Sequence, residues 1–247
     1  MRISGSTIFV AGGTSGIGLG LALRLRQAGN QVIVGGRRTD LLDRIAAEHP
    51  DVATVVIDTS DAASVTAAAR EVIERFPDVN VVVAMAGIML AEDVHSADFL
   101  PVAEATVATN LLGPLRLVAA FVGTLRAQPE AAILTVSSGL AFVPLPMTPT
   151  YNATKAAIHS LSESMRVQLA DTAVQVIELV PPAVRTALMG QQDAENAMPL
   201  DEFLDETMTL LESQPDATEI LVERVKPLRH AEVDGTYDKI LATLGGH

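Results

Sequence analysis

Short apolar runs rich in Val and Ile recur along the chain: Thr7 to Ala11, Gln31 to Gly35, Thr54 to Ile57, Val81 to Ala84, Ala132 to Val136 and Val174 to Val180. Each has the length of a strand. Each is continuously apolar rather than alternating, which predicts parallel strands covered on both faces. Between the runs the apolar residues take helical spacing, as in Ile17, Leu21, Leu25 and Ala28, a helix that Gly29 and Asn30 close. This βαβα alternation predicts an α/β fold, a doubly wound parallel sheet with helices on both faces. A ligand would lie beyond the carboxyl ends of its strands.

After Val180 the pattern changes. Pro181 and Pro182 stop the sixth strand, and Ala183 to Leu200 mixes apolar residues with Gly, Gln and Asn before helical periodicity resumes over Asp201 to Glu212. A loop-rich insertion at this edge predicts a substrate lid over approximately residues 187–215. From Asp216 to Leu244 the expectation is mostly helix, broken at Pro227 and Gly235. Ala217 to Ala231 has the pattern of a charged amphipathic helix, so no regular seventh strand is expected.

Composition narrows the function classes. A chain of 247 residues, 49% apolar and 19% charged, fits one soluble domain, taken as 1–247. Its net charge of -13 would repel phosphate backbones, so no nucleic-acid partner is expected. Zero cysteines exclude disulfides and thiolate sites and suit a reducing compartment. The five histidines, His49, His95, His159, His230 and His247, show no ligand spacing, and no metal is expected. Val81 to Ala91, the longest nearly uncharged apolar stretch, falls short of the roughly 20 residues of a membrane span. Met1 to Val10 does not have the form of a secretory signal. The expectation is therefore a cytoplasmic protein with no membrane partner.

Candidate chemistry begins where the first run ends. Gly12, Gly16 and Gly18, with Thr14, Ser15 and Ile17 between them, join the first strand to the first helix. Glycines there permit a tight turn and let a pyrophosphate approach the amide groups at the positive end of the helix. The spacing is GxxxGxG rather than the usual GxGxxG of a dinucleotide fold. The second run ends in Arg37 and Arg38 with no carboxylate, a pattern that favours the 2′-phosphate of NADP(H) over the free ribose of NAD. Asp58, followed by Thr59 after the third run, is a candidate cap or acceptor for the adenine amino group. Tyr151 and Lys155 stand four apart, on one face of a helix. An ammonium beside a phenol favours the phenolate and lowers the phenol towards working pH. Ser137 and Ser138 end the fifth run, at the same carboxyl edge.

Taken together these residues resemble the short-chain dehydrogenase/reductase family over nearly the whole chain up to about Leu188. The glycine loop matches that family's TGxxxGxG with Ala11 in place of Thr, and the serine thirteen residues before the tyrosine is Ser138. Asn110, after the fourth run, is similar to the family's asparagine. The resemblance implies a Rossmann-like fold with Tyr151 as general acid in reduction and base in oxidation. It implies that Lys155 lowers the phenol's pKa and holds the nicotinamide ribose, that Ser138 orients the substrate oxygen, and that Asn110 holds a water in a proton relay. Pro181 to Thr186 resembles the family's PGxxxT segment, implying that Val184 and Thr186 face the nicotinamide amide.

Three departures stand out. Ala84-Met85-Ala86-Gly87 replaces the family's NNAG; Ala84, Ala86 and Gly87 keep the close approach to the adenosine ribose, and Met85 is expected in the middle of the sheet. Pro182 replaces a glycine. The C-terminal part, with the paired prolines, resembles a bacterial subgroup of oxidoreductases, some encoded beside D-alanyl-lipoteichoic acid genes. Leu140, Phe142, Val143, Leu145 and Met147 are expected along one wall of the substrate pocket, and Leu188, Met189, Met198 and Phe203 in its lid. The reading is an NADP(H)-dependent oxidoreductase on a small hydrophobic carbonyl or alcohol, assembled as a homodimer or homotetramer. Its alternative is a non-catalytic NADP(H)-binding sensor. A nucleotide-sugar epimerase or dehydratase needs a larger C-terminal domain than this chain has room for.

Overall fold

A computed structural model describes residues 2–246; Met1, which opens the N-terminal run, and His247, among the scattered histidines, lie outside the described residues. Each of the six apolar runs forms a strand: β1 (Thr7–Ala11), β2 (Gln31–Gly36), β3 (Ala53–Val56), β4 (Val81–Ala84), β5 (Ala131–Val136) and β6 (Val174–Leu179). All pair in parallel, in the order β3-β2-β1-β4-β5-β6-β7, where β7 is Glu219–Ile220. Val10 of β1 faces Val34 on one side and Val83 on the other. The order reverses between β1 and β4, and that switch point opens the crevice in which doubly wound sheets bind ligands.

Both faces are covered, as continuous apolar strands require. On one face α1 (Gly16–Gln27), α2 (Thr39–Glu48) and α7 (Leu200–Ser213) bury Leu21, Leu25, Ile45 and Phe203 against Ile8, Val10 and Val34. On the other, α3 (Ala62–Arg75) and α5 (Gly113–Ala127) bury Val65, Val72, Leu117 and Phe121 against Phe9, Ile33 and Val82. Phe9 and Phe121 meet with ring centroids 5.4 Å apart. Burying side chains of this size stabilises by about 1.5–3 kcal/mol each. The first helix ends as its pattern predicts, with Gly29 at φ +91° and the Asn30 N–H returning to Leu25 O.

Two expectations need correction. Ala217 to Ala231 is not a helix. The β6 N–H groups of Glu178 and Val180 need acceptors, and Thr218 O and Ile220 O supply them at 2.9 and 3.2 Å, so the segment pairs as the seventh strand. Ile220, Val222 and Val225 are drawn into the core, and the chain then turns through Glu223–Val225 into the short helix α8 (Lys226–Arg229). A last helix, α9 (Tyr237–Leu244), follows. Second, a longer apolar element exists than Val81 to Ala91. The helical run Ala97–Ala127, which includes α4 (Leu100–Val107) and α5, is long and apolar enough to cross a membrane by length and composition. Here one side of it lies on the sheet through Leu117, Phe121 and Leu125.

Candidate active site

The carboxyl end of β1 must turn sharply to feed α1, and three glycines make this turn for different reasons. Gly12 is left-handed, at φ +93°, and a Cβ there would stand 2.4 Å from Ala86 N. Gly16 is left-handed at φ +54° and faces the Thr186 side chain. Gly18 lies so close to Gly12 that a Cβ would meet its carbonyl oxygen at 2.2 Å. The amino end of α1 has no side-chain cap and no acidic residue in its first turn, so its N–H groups are free to take an anion. Arg38 Nη2 reaches over this corner to Thr14 Oγ1 at 3.2 Å and Ser15 Oγ at 2.9 Å. Arg37 stands beside it, 4.0 Å from Asp58. Burial works to raise the Asp58 carboxyl, but hydrogen bonds from the Ser60 hydroxyl and N–H, with Arg37, hold it below its usual value.

Across the crevice, α6 (Pro149–Gln168) opens with Pro149 in its first turn, a position where the missing N–H costs nothing. Its buried face carries Tyr151, 7% exposed, and Lys155, 6% exposed. The Lys155 ammonium donates to Val136 O at 2.8 Å and stands 5.5 Å from the centre of the Tyr151 ring. The Ser138 hydroxyl is hydrogen-bonded to the phenol, and its oxygen accepts from Leu140 N–H at 3.1 Å. Burial pushes the phenol up to about 12, with the Ser138 bond opposing. This is opposite to the lowering expected from the ammonium: desolvation of the buried phenol dominates in this enclosed site. Burial likewise takes Lys155 down to about 8, with the Glu178 charge opposing. A phenol that holds its proton to high pH, next to a serine hydroxyl and over an ammonium, can donate that proton to an oxygen placed in the crevice.

Asn110 stands behind this group, in a single π-helical turn (Ala108–Leu112) that widens the join between α4 and α5. Its Oδ1 accepts from Ile88 N–H and its Nδ2 donates to Ile88 O, both at 2.8 Å, so it clamps the chain leaving β4. Gly87 is part of the same knot, since a Cβ there would lie 3.4 Å from Asn110 Oδ1 and 3.9 Å from Lys155 Nζ.

The glycine corner and the tyrosine group open onto one cavity of about 580 Å³. Its walls include Gly12, Thr14, Ser15, Gly16, Ile17, Gly18, Arg37, Arg38, Thr59, Ala86, Gly87, Ser138, Tyr151, Lys155, Pro181, Val184 and Thr186. The backbone cradle that any Cβ would fill, the uncapped helix end and the two guanidiniums fit a phosphorylated dinucleotide. Ala84, Asp58 and Asn110 are not among the residues that line it. A groove of similar volume, about 590 Å³, at the other edge of the sheet beside Arg2, Glu130 and Gln175 contains none of these groups.

The substrate side departs further from expectation. Leu140, Leu145 and Leu188 line the cavity, whereas Phe142, Met147 and Met189 do not. Phe142 is taken by the His159 ring and the Arg229 guanidinium, Met147 is 50% exposed, and Met189 forms a left-handed turn at φ 54° with Gly190. Val143, Met198 and Phe203 are buried in the core. Met85 packs, partly buried, against the apolar core, lies against Gly18 and also lines the cavity. Ile88, Met89, Leu228 and Leu244 are wall residues that the sequence reading missed. Gly139 held a signal for one of them, because a Cβ there would stand 2.6 Å from Leu228 Cδ1. The segment expected to form a lid is tied at its base: Val184 bridges to Met198, and the Arg185 guanidinium donates to Ala194 O, Glu195 O and Ala197 O.

The pattern of a family described as short chain dehydrogenase matches residues 6–197. The "Uncharacterized oxidoreductase DltE" of Bacillus subtilis (strain 168) is 35% identical over 97% of this chain and 98% of its own. A short chain dehydrogenase from Burkholderia cenocepacia J2315, solved in complex with NADP, is 27% identical with a TM-score of 0.83, covering 99% of each chain. An alcohol dehydrogenase from Thermococcus sibiricus, complexed with 5-hydroxy-NADP, is 28% identical with a TM-score of 0.78, covering 88% of this chain and 95% of that one. A 3-ketoacyl-(acyl-carrier-protein) reductase from Brucella melitensis, complexed with NADH, is 25% identical with a TM-score of 0.76, covering 87% and 93%.

Proposed function

The chain belongs to the short-chain dehydrogenase family, and from that premise we propose that it interconverts a carbonyl and an alcohol using NADP(H), with Tyr151 as the proton donor and acceptor. The observation that carries this reading is the convergence of Ser138, Tyr151 and Lys155 on the same cavity as the glycine corner. Bound along that corner, NADPH supplies the hydride. Gly12, Gly16 and Gly18 let the backbone approach the pyrophosphate, while Arg37 and Arg38 take the 2′-phosphate; Thr59, Ala86 and Gly87 flank the adenosine side. Val184 and Thr186 orient the nicotinamide. Ser138 holds the carbonyl oxygen, Tyr151 gives it a proton, and the Lys155 charge stabilises the phenolate left behind.

The walls formed by Leu140, Leu145, Leu188, Leu228 and Leu244 favour an apolar aldehyde or ketone. Arg37 and Arg38 support NADP(H) over NAD(H), since no carboxylate is present there to hold a free ribose. The cytoplasm is the proposed compartment, where pools of this cofactor are held. Assembly as a homodimer or homotetramer is part of the reading, and exposed Leu100, Leu112 and Leu115 on the α4–α5 run offer apolar surface for it.

The test is nicotinamide absorbance over a panel of aldehydes, ketones and diketones, with NADPH and NADH side by side. Turnover preferring NADPH, and reduced by about 10²–10⁴-fold in Tyr151→Phe with NADPH affinity retained, is the expected result. Tight NADPH binding with no turnover across the panel would favour the sensor instead.

A further inference from the structure

The helix that carries Tyr151 begins without a cap of its own. Thr148, the residue before α6, is of a type that caps helices, but its hydroxyl is turned to Leu145 O at 3.4 Å and to Asn152 Oδ1 at 3.3 Å. No acidic residue stands in the first turn, and Pro149 brings no N–H. The first amide of the helix that needs a partner is therefore that of Thr150, and Tyr151 follows it directly.

The partner comes from 58 residues away in the chain. Glu92 lies in the loop that leaves β4; its Oε1 accepts from Thr150 N–H at 3.2 Å and its Oε2 accepts from the Thr150 hydroxyl at 2.6 Å. The Glu92 N–H donates to Met147 O at 2.9 Å, so this one residue grips the chain on both sides of Pro149. Nearer β4 the same loop is clamped by Asn110 through Ile88, and between the two anchors Met89 stands in the cavity wall. The loop is thus a strut from the π-helical turn to the first turn of α6.

The two ends of the Tyr151–Lys155 pair depend on this strut unequally. Lys155 sits one turn further into the helix, near the buried Ile158 and Ser162, and is tied to Val136 O. Tyr151 belongs to the first turn, the part of a helix that frays when its amides are left without acceptors. The Ser138 bond holds the tip of the phenol, and Glu92 holds the backbone from which the ring projects. Proton transfer requires the donor to stand within hydrogen-bond reach of the oxygen it serves, so the backbone under Tyr151 matters as much as the tip.

We propose that Glu92 is a positioning residue for the reaction proposed above, a remote cap that sets where Tyr151 stands relative to Ser138 and Lys155. It is not among the residues that line the cavity, and it acts through Thr150. The proposal rests on the oxidoreductase reading for its effect on rate, but not for its effect on the place of Tyr151.

The chain has two tyrosines, Tyr151 and Tyr237, so protein labelled with ¹³C-tyrosine gives two Cζ signals, assigned with Tyr237→Phe. These report on Tyr151 with no need for turnover. Glu92→Ala is expected to move or broaden the Tyr151 signal and to lower kcat by about 10–100-fold, the scale on which a misplaced group costs rate, with KM and NADPH affinity little changed. Glu92→Gln keeps both contacts, its amide oxygen accepting from Thr150 N–H and its amide N–H donating to the hydroxyl, and is expected to restore the signal and most of the rate. Thr150→Val removes the hydroxyl and leaves the N–H; it should move the signal by less, and it decides the matter if Glu92→Ala does not fold. A Tyr151 signal unmoved in these two variants overturns the proposal, because a fall in melting temperature alone would make Glu92 a cap that serves stability only. A displaced signal with kcat unchanged overturns it too. A displaced signal in a protein whose wild type turns over no carbonyl supports placement by Glu92 and overturns the oxidoreductase reading instead.

Discussion

The two sides of the cavity are built on different principles. The proposed cofactor side is a backbone surface: Gly12 and Gly16 have left-handed φ, Gly18 is pressed against Gly12 O, and the amino end of α1 has no side-chain cap. The proposed substrate side is a side-chain surface, assembled from three separate stretches of chain: Leu140 and Leu145, then Leu188, then Leu228 and Leu244. A backbone surface has one acceptable sequence at its tightest points, whereas a side-chain surface accepts many. Chemistry should therefore fail abruptly on the first side and drift on the second.

The largest expected effect tests that abruptness. Gly12→Val puts a branched side chain where even a Cβ stands 2.4 Å from Ala86 N, and NADPH binding measured by fluorescence titration should weaken by at least about 100-fold. Gly123→Ala, in open space on α5, is the control; binding should be unchanged and stability slightly improved, by about 0.5–1 kcal/mol. Next is the guanidinium pair. Arg37→Gln with Arg38→Gln removes charge-assisted bonds worth about 1.5–3 kcal/mol each, so NADPH affinity should fall by about 100-fold or more while NADH affinity changes little. Equal losses for both cofactors would show that the pair does not read the phosphate.

A smaller effect concerns pH. Tyr151 keeps its proton up to about 12, while Lys155, depressed by burial, loses its own near about 8. In the proposed reaction it is protonated Lys155 that supports proton donation, so kcat/KM for carbonyl reduction should be flat below about 8 and fall as pH rises through that value. A profile flat to pH 10 would remove Lys155 charge from the mechanism. The smallest effect belongs to the side-chain wall. Leu228→Ala and Leu244→Ala should each shift KM among short and bulky ketones by about 3–10-fold, at about 1 kcal/mol per contact, with kcat for the best substrate nearly unchanged.

The same contrast explains what was legible in the sequence. The strands, the glycine corner, the arginines and the Tyr151–Lys155 pair each depend on neighbours within a few residues, and local pattern is enough to reveal them. Ala217 to Ala231 was misread because its amphipathic period is real, but the open β6 donors at Glu178 and Val180 decide its conformation, and they are distant in sequence. Phe142 and Met147 had the right composition for a pocket wall. Phe142 is instead captured by His159 and Arg229, and Met147 points to solvent. The Glu92–Thr150 pair gave no local signal, since its members lie on different elements and meet only in the folded chain.

Leu228 gains a further meaning from its place over Gly139. The family pattern ends at residue 197, and both Leu228 and Leu244 come after it. The wall of the proposed pocket is thus split: Leu140, Leu145 and Leu188 lie inside the stretch that the family pattern matches, and Leu228 and Leu244 lie beyond it, where the wall can change while Ser138, Tyr151 and Lys155 stay. For this protein, a relative's substrate is an argument only where both parts of the wall, Leu140 to Leu188 and Leu228 to Leu244, are alike.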